Sequence, residues 1–368
     1  MKIIISQRQY KKLTEGELKE AVGVPEHIIS TAIKIFDKMV TKLKKENKSL
    51  DEIQNEKLII TGQFPMGDIV VRKIIIDFEF LKLPAGTERE WMSATHHSLS
   101  KLLPKLVFQT ANKKSEIKIG FSIAMNEGDG NKELIDFLNQ SKKVLIPTVA
   151  HEIKHSYFEK KSQYEPLRKR VSYQALQNLR LPMIQPINDF LFHSYFIHAV
   201  ENVVRPTELA AHMEMQGITR KKFLEFFMNS DIVKMLKEIK DFSYQNLRDD
   251  LIAYTDVIKK LLSKIGVDTE GMSEEELVNQ ILRLTLVNLT NMRGNTMKSL
   301  LTTSPVEMIF GFMGDKEEFF DRYINYITKF GENYEQFFKS EENEFHKIAD
   351  QMIKKLSKLY SLAKKDEE

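Results

Sequence analysis

Residues 146–161 read IPTVAHEIKHSYFEKK. His151 and His155 stand four apart, so on a helix both imidazoles project from one face and can present ring nitrogens to a single cation. Neutral imidazole suits zinc, with a bond of about 2.0–2.1 Å. Glu152 lies about 100° round the helix from His151. From there it can hold a metal-acidified water without itself binding the metal. Two ligands and one general base is the chemistry that the His-Glu-x-x-His spacing permits. The chain has no cysteine, so any metal must be held by histidine and carboxylate.

The surrounding pattern supplies elements to hold such a helix. Val144, Leu145, Ile146, Val149 and Ile153 give it an apolar side, and Pro147 falls where a first helical turn tolerates it. Lys154, inside the motif, is expected to snorkel to solvent. Upstream, residues 14–48 have helical periodicity. The stretches 57–64, 68–83 and 116–126 are rich in β-branched and aromatic residues and read as strands of a small, mostly antiparallel sheet. From 131 onward the chain reads as helix: 131–140, the motif helix, a buried 187–204, then 207–217 restarted at Thr207 after a break at Pro206. Further helices are expected near 219–228, 231–240, 243–265, 273–292, 305–313 and 316–364, the last kinked at Gly331. The apolar stripes of 219–364 read as a bundle core. Charge runs such as KLKKENK read as solvated faces. The fold class is α+β, with a helical C-terminal region.

With 368 residues the chain is too long for one ordinary core. Against 55 basic residues stand 52 acidic ones, a net charge of +3 that implies no nucleic-acid partner. No stretch approaches a membrane span, and Met1–Leu13 is too short in apolar length for a signal peptide. The expected setting is cytoplasmic or virion-associated.

The motif and its uncharged neighbours Thr148, Val149, Ile153, Ser156 and Tyr157 resemble the zincin metallopeptidases. In that family the HExxH helix packs under a small twisted sheet whose edge strand pairs with an extended peptide. The resemblance covers about residues 57–217. It divides the chain into an N-terminal helical segment (1–56), a zincin-like domain (57–217) and a helical C-terminal domain (218–368). It implies a Zn2+ cofactor, a peptide or protein substrate and a third protein ligand. Phe158 and Lys161 exclude the HExxHxxGxxH form. A gluzincin-like glutamate on a later helix remains, and the candidates are Glu201, Glu208 and Glu214. Glu208, followed three residues later by Ala211, looks most like the family pattern. His212, four residues beyond, is then a partner of that ligand, a donor to the reacting carbonyl, or itself the third ligand.

His193 and His198 read as hydrogen-bonded core residues, and His96 and His97 as loop or surface residues. Tyr157, Tyr173 and Tyr195 are further candidates to steady an oxyanion. The function expected is zinc-dependent peptide hydrolysis with Glu152 as base. The alternative is a structural protein with a metal-stapled zincin-like domain. MKIIISQRQYKKL is similar to short segments at the ends of structural proteins of tailed bacteriophages, and that likeness implies assembly into a larger particle.

Overall fold

A helix rich in isoleucine and lysine, α1 (Ile28–Glu46), opens the described part of the chain. The structure is a computed structural model that describes residues 24, 27–66, 69–83, 116–158, 184–264, 266–290 and 331–366. The expectations for Met1–Leu13, His96, His97, Tyr173 and the helix at 305–313 lie outside these residues. Ile28, Ala32, Ile35, Phe36, Met39 and Leu43 recur at three- and four-residue steps and are buried. Ser49 and Glu52 then form a reciprocal capping box that starts α2 (Leu50–Asn55).

Three strands follow: β1 (Leu58–Met66), β2 (Ile69–Leu83) and β3 (Glu116–Asn126), in sheet order β1-β2-β3. Alternation through the middle of the strands gives the sheet one buried face. Leu58 pairs with Ile76, Ile76 with Ile119, Ile74 with Ile117 and Phe78 with Phe121, and all of these side chains are buried. The sheet is mixed rather than mostly antiparallel. Only residues 67 and 68 separate β1 from β2, which forces an antiparallel pair, whereas residues 84–115 leave room for the crossover that parallel β2 and β3 require.

The outer edge of β1 is covered by α1. Lys34, Lys38 and Lys42 donate from their ammonium groups to the carbonyls of Gln63 (2.9 Å), Thr61 (2.9 Å) and Ile59 (2.7 Å). The Thr31 hydroxyl donates to Pro65 at 2.8 Å. Four helical residues advance about as far as two strand residues, so a four-residue lysine repeat matches alternate carbonyls. Gly62 admits the approach: a Cβ there would lie 2.8 Å from Lys38 Nζ. Lys42 belongs to a run expected to be solvated; Lys44, Lys45, Glu46 and Asn47 are exposed, while Lys42 is half-buried and also donates to backbone.

Helices α3 (Asn131–Gln140), α4 (Lys142–Phe158), α5 (Gln185–Phe196), α6 (Ala199–Met215), α7 (Arg220–Asn229) and α8 (Asp231–Lys240) come next. They are followed by α9 (Tyr244–Ile252), α10 (Thr255–Lys264), α11 (Glu274–Thr290) and α12 (Tyr334–Ser357), then a 3-10 turn over Lys358–Leu362. The single helix expected over 243–265 is two, parted at Ala253 and Tyr254. The stripe Tyr334, Phe337, Phe345, Ile348, Met352, Leu356 and Leu359 is buried as its spacing implies.

Two compact units result, interleaved along the chain: Met1–Gln163, Val203–Ser230 and Lys355–Glu368 in one, Tyr164–Asn202 and Asp231–Lys354 in the other. In the first, Lys364 exchanges backbone hydrogen bonds with Ile218 and Arg220, and the Phe223 ring meets Tyr360 edge-on at 5.6 Å. In the second, the rings of Phe190, Phe242, Phe338 and Phe345 form a cluster, with His193 edge-on to Phe242 and Phe345. His346 donates to the Phe242 carbonyl at 3.0 Å. Among the described residues no helix is long and apolar enough to cross a membrane.

Candidate metal centre

Helix α4 carries the motif and is fixed against α1. Lys142 at its start pairs with Asp37 of α1 at 2.8 Å, and Asn131 of α3 donates to the Leu43 carbonyl at 3.0 Å. Leu145, Ile146, Val149, Ala150 and Ile153 are buried, while Val144 is 45% exposed and faces away from the packed side. The helix begins at Lys142, so Pro147 is an internal residue rather than a first-turn one. It removes the amide that would have bonded the Lys143 carbonyl, one turn before His151.

Helix α6 differs more from expectation. The chain breaks at Ile197 and His198, not at Pro206, and α6 runs unbroken through that proline. The Asn202 side-chain amide donates to the Ile197 carbonyl at 2.8 Å and closes the turn there. Thr207, expected to start a new helix, is fully buried, and its hydroxyl has no hydrogen-bond partner among the described residues. Because the helix is continuous, Glu201, Arg205, Glu208 and His212 stand at steps of four, three and four along one face. His198 is buried, in keeping with a core role.

Three ligand-type side chains converge between α4 and α6. One ligand atom each from His151, His155 and Glu201 lies within 4.8 Å of the other two. The two Nε2 atoms are 3.0 Å apart, and the rings meet edge to face, with centroids 4.8 Å apart and planes at 72°. Two imidazoles on one tetrahedral zinc place their nitrogens about 3.3 Å apart, since each bond is about 2.0–2.1 Å. The pair therefore fits one such ion with a shift of a few tenths of an ångström. His151 and Glu201 are buried, and His155 and Glu152 are half-buried. This group can hold a metal ion.

Glu208, expected as the third ligand, takes a different place. Its Oε2 accepts from Nδ1 of His151 at 2.7 Å, on the opposite side of the ring from the converging nitrogens. The same oxygen accepts from Arg205 Nη1 at 2.8 Å. Burial works to raise the Glu208 pKa, but the neighbouring charges of Arg205, His151 and His212, with the His151 hydrogen bond, hold it well below the ordinary carboxylate range. His212 is thus an electrostatic neighbour of Glu208 and not part of the converging group. Glu214 is exposed. Helical phase puts Glu201 and Glu208 on one face, which the assumed break at Pro206 hid; what separates them is that Glu208 meets Nδ1 of His151 whereas Glu201 joins the converging group.

Lys154 does not snorkel. It is 2% exposed, and burial together with the charge of Lys355 lowers its pKa from 10.5 to about 7. The native state holds this proton less tightly than the unfolded chain. Its penalty is full below about pH 7 and fades as the pH rises towards 10.5. Lys154→Met is therefore expected to stabilise the protein by about 1–4 kcal/mol at neutral pH. Thermal unfolding at a series of pH values checks this. A gain that grows with pH would contradict it.

Comparison of the chain with protein-family models, with curated proteins and with solved structures finds no match.

Proposed function

We propose that the protein is a zinc-dependent peptide hydrolase whose metal is held by Nε2 of His151, Nε2 of His155 and the carboxylate of Glu201. The observation that carries this reading is the convergence of those three side chains within 4.8 Å, two of them on a His-Glu-x-x-His helix. A proton shared between the imidazoles would account for their 3.0 Å contact equally well. The fully buried carboxylate beside both rings adds an oxygen donor, so that the group offers a divalent cation three ligands rather than two. Three protein ligands leave a fourth position open, as catalytic zinc requires.

What the ion would supply is polarisation of a carbonyl and acidification of a water. The rest falls to the chain. Glu152, adjacent to His151 and half-buried, accepts the proton of that water as its oxygen adds to the peptide carbon. It then passes the proton to the nitrogen as the C–N bond breaks, giving a carboxylic acid and an amine. A peptide could not reach the site by adding to β1 unless it displaced the ammonium groups of Lys34, Lys38 and Lys42 from that edge.

Metal analysis of the purified full chain, before and after a chelator, tests the proposal. One zinc per chain, lost to the chelator and restored by adding zinc, is the expected result. No stoichiometric metal would end the reading.

A further inference from the structure

We infer that Glu208 is the positioning residue of this centre: by accepting the Nδ1 proton of His151, it aims the Nε2 lone pair of that ring at the space shared with His155 and Glu201. The two nitrogens of an imidazole point away from each other, and α6 supplies one carboxylate to Nδ1 of His151 and another to the converging group. Glu201 and Glu208 are seven residues apart, two helical turns less about 20°, so they share a face about 10.5 Å apart along the axis. That spacing lets one rigid helix supply both carboxylates, Glu201 to the converging group and Glu208 to Nδ1 of His151.

Arg205, between them in sequence, shares the Glu208 oxygen that His151 uses. Arg205 can only donate, so that oxygen acts as an acceptor, and the hydrogen of the 2.7 Å contact is assigned to Nδ1 of His151. A neutral His151 that donates from Nδ1 has no proton on Nε2, which is the tautomer that a metal needs at that atom. The same contact restrains the plane of the ring, which stands at 72° to that of His155.

Its effect on metal affinity rests on the metal reading above, whereas its effect on the ring's proton does not. The test therefore has two arms. In 15N-labelled, metal-free full chain at about pH 8.5, about two units above the reference imidazole pKa, long-range 15N–1H correlation reads the His151 tautomer. The proton is expected on Nδ1 in the native protein, on Nδ1 in Glu208→Gln, which keeps an acceptor oxygen, and shifted towards Nε2 in Glu208→Leu. Zinc affinity, measured by competition with a chromophoric chelator, is expected to fall by roughly 10–100-fold, more for Leu than for Gln.

A native His151 protonated on Nε2, or unchanged tautomer and affinity in Glu208→Leu, would overturn the assignment. If the Leu variant does not fold, unchanged affinity in the isosteric Gln variant overturns it instead. If the native protein binds no zinc, the hydrolase reading fails, and the tautomer alone decides for or against Glu208.

Discussion

Glu152→Gln is expected to lower peptide hydrolysis by about 10²–10⁴-fold while the protein keeps its zinc. The substitution preserves size and hydrogen bonding and removes only the ability to take a proton. Glu152 follows His151 on α4 but is not in the group of converging ligand atoms. Losing its charge should therefore change the rate and not the metal content. In barrier terms the loss is about 3–5 kcal/mol. Turnover of an unstructured protein such as casein, together with metal content, measures both sides. Undiminished turnover with zinc retained would remove Glu152 from the chemistry. A native protein that holds zinc and cleaves nothing would return the centre to the role of a metal staple.

The second large effect concerns Glu201. Glu201→Gln replaces a fully buried carboxylate with a neutral amide of the same shape. Removing one charge from a buried, mutually compensating set costs about 3–5 kcal/mol, or roughly 10²–10⁴-fold in a binding constant. Zinc affinity should fall by that much, and by more than in Glu208→Gln. The ranking is the informative part. If Glu208→Gln loses the metal and Glu201→Gln does not, the ligand is Glu208, and the geometry has been assigned to the wrong carboxylate.

That contrast also shows where the sequence was legible. A helix phase needs only local periodicity, so His151 and His155 could be placed on one face from their spacing alone. The strand 116–126 and the helices 131–140 and 231–240 coincide with their apolar patterns to the residue. Prolines were the main source of error. Pro147 and Pro206 both lie inside helices, where local rules expect a start and a break. Once Pro206 is taken to end a helix, Glu201 and Glu208 seem to belong to different elements, and their seven-residue phase carries no meaning. Tertiary packing overrides the local cost of a missing amide, and no single window of sequence contains that packing. Lys154 failed for a related reason. Its surroundings include Lys355, two hundred residues away, whose charge helps lower its pKa. The parallel pairing of β3 was equally out of reach, because alternation reveals a strand's faces and not the direction of its neighbour.

The lysines along β1 carry a consequence for self-association. An exposed strand edge is a template on which another copy of the same chain can grow by adding its own backbone, the first step towards fibrous aggregates. Proteins commonly blunt such an edge with a charge or a proline. Here the edge is occupied by a charged helix face, whose flexible four-carbon stems absorb the small mismatch between helical and strand rise. An incoming strand would have to offer backbone amides better than three ammonium donors already in place, while bringing its own lysines against them. The protection is electrostatic and therefore conditional. Acetylating Lys34, Lys38 and Lys42 would neutralise the cover and leave β1 open to concentration-dependent growth.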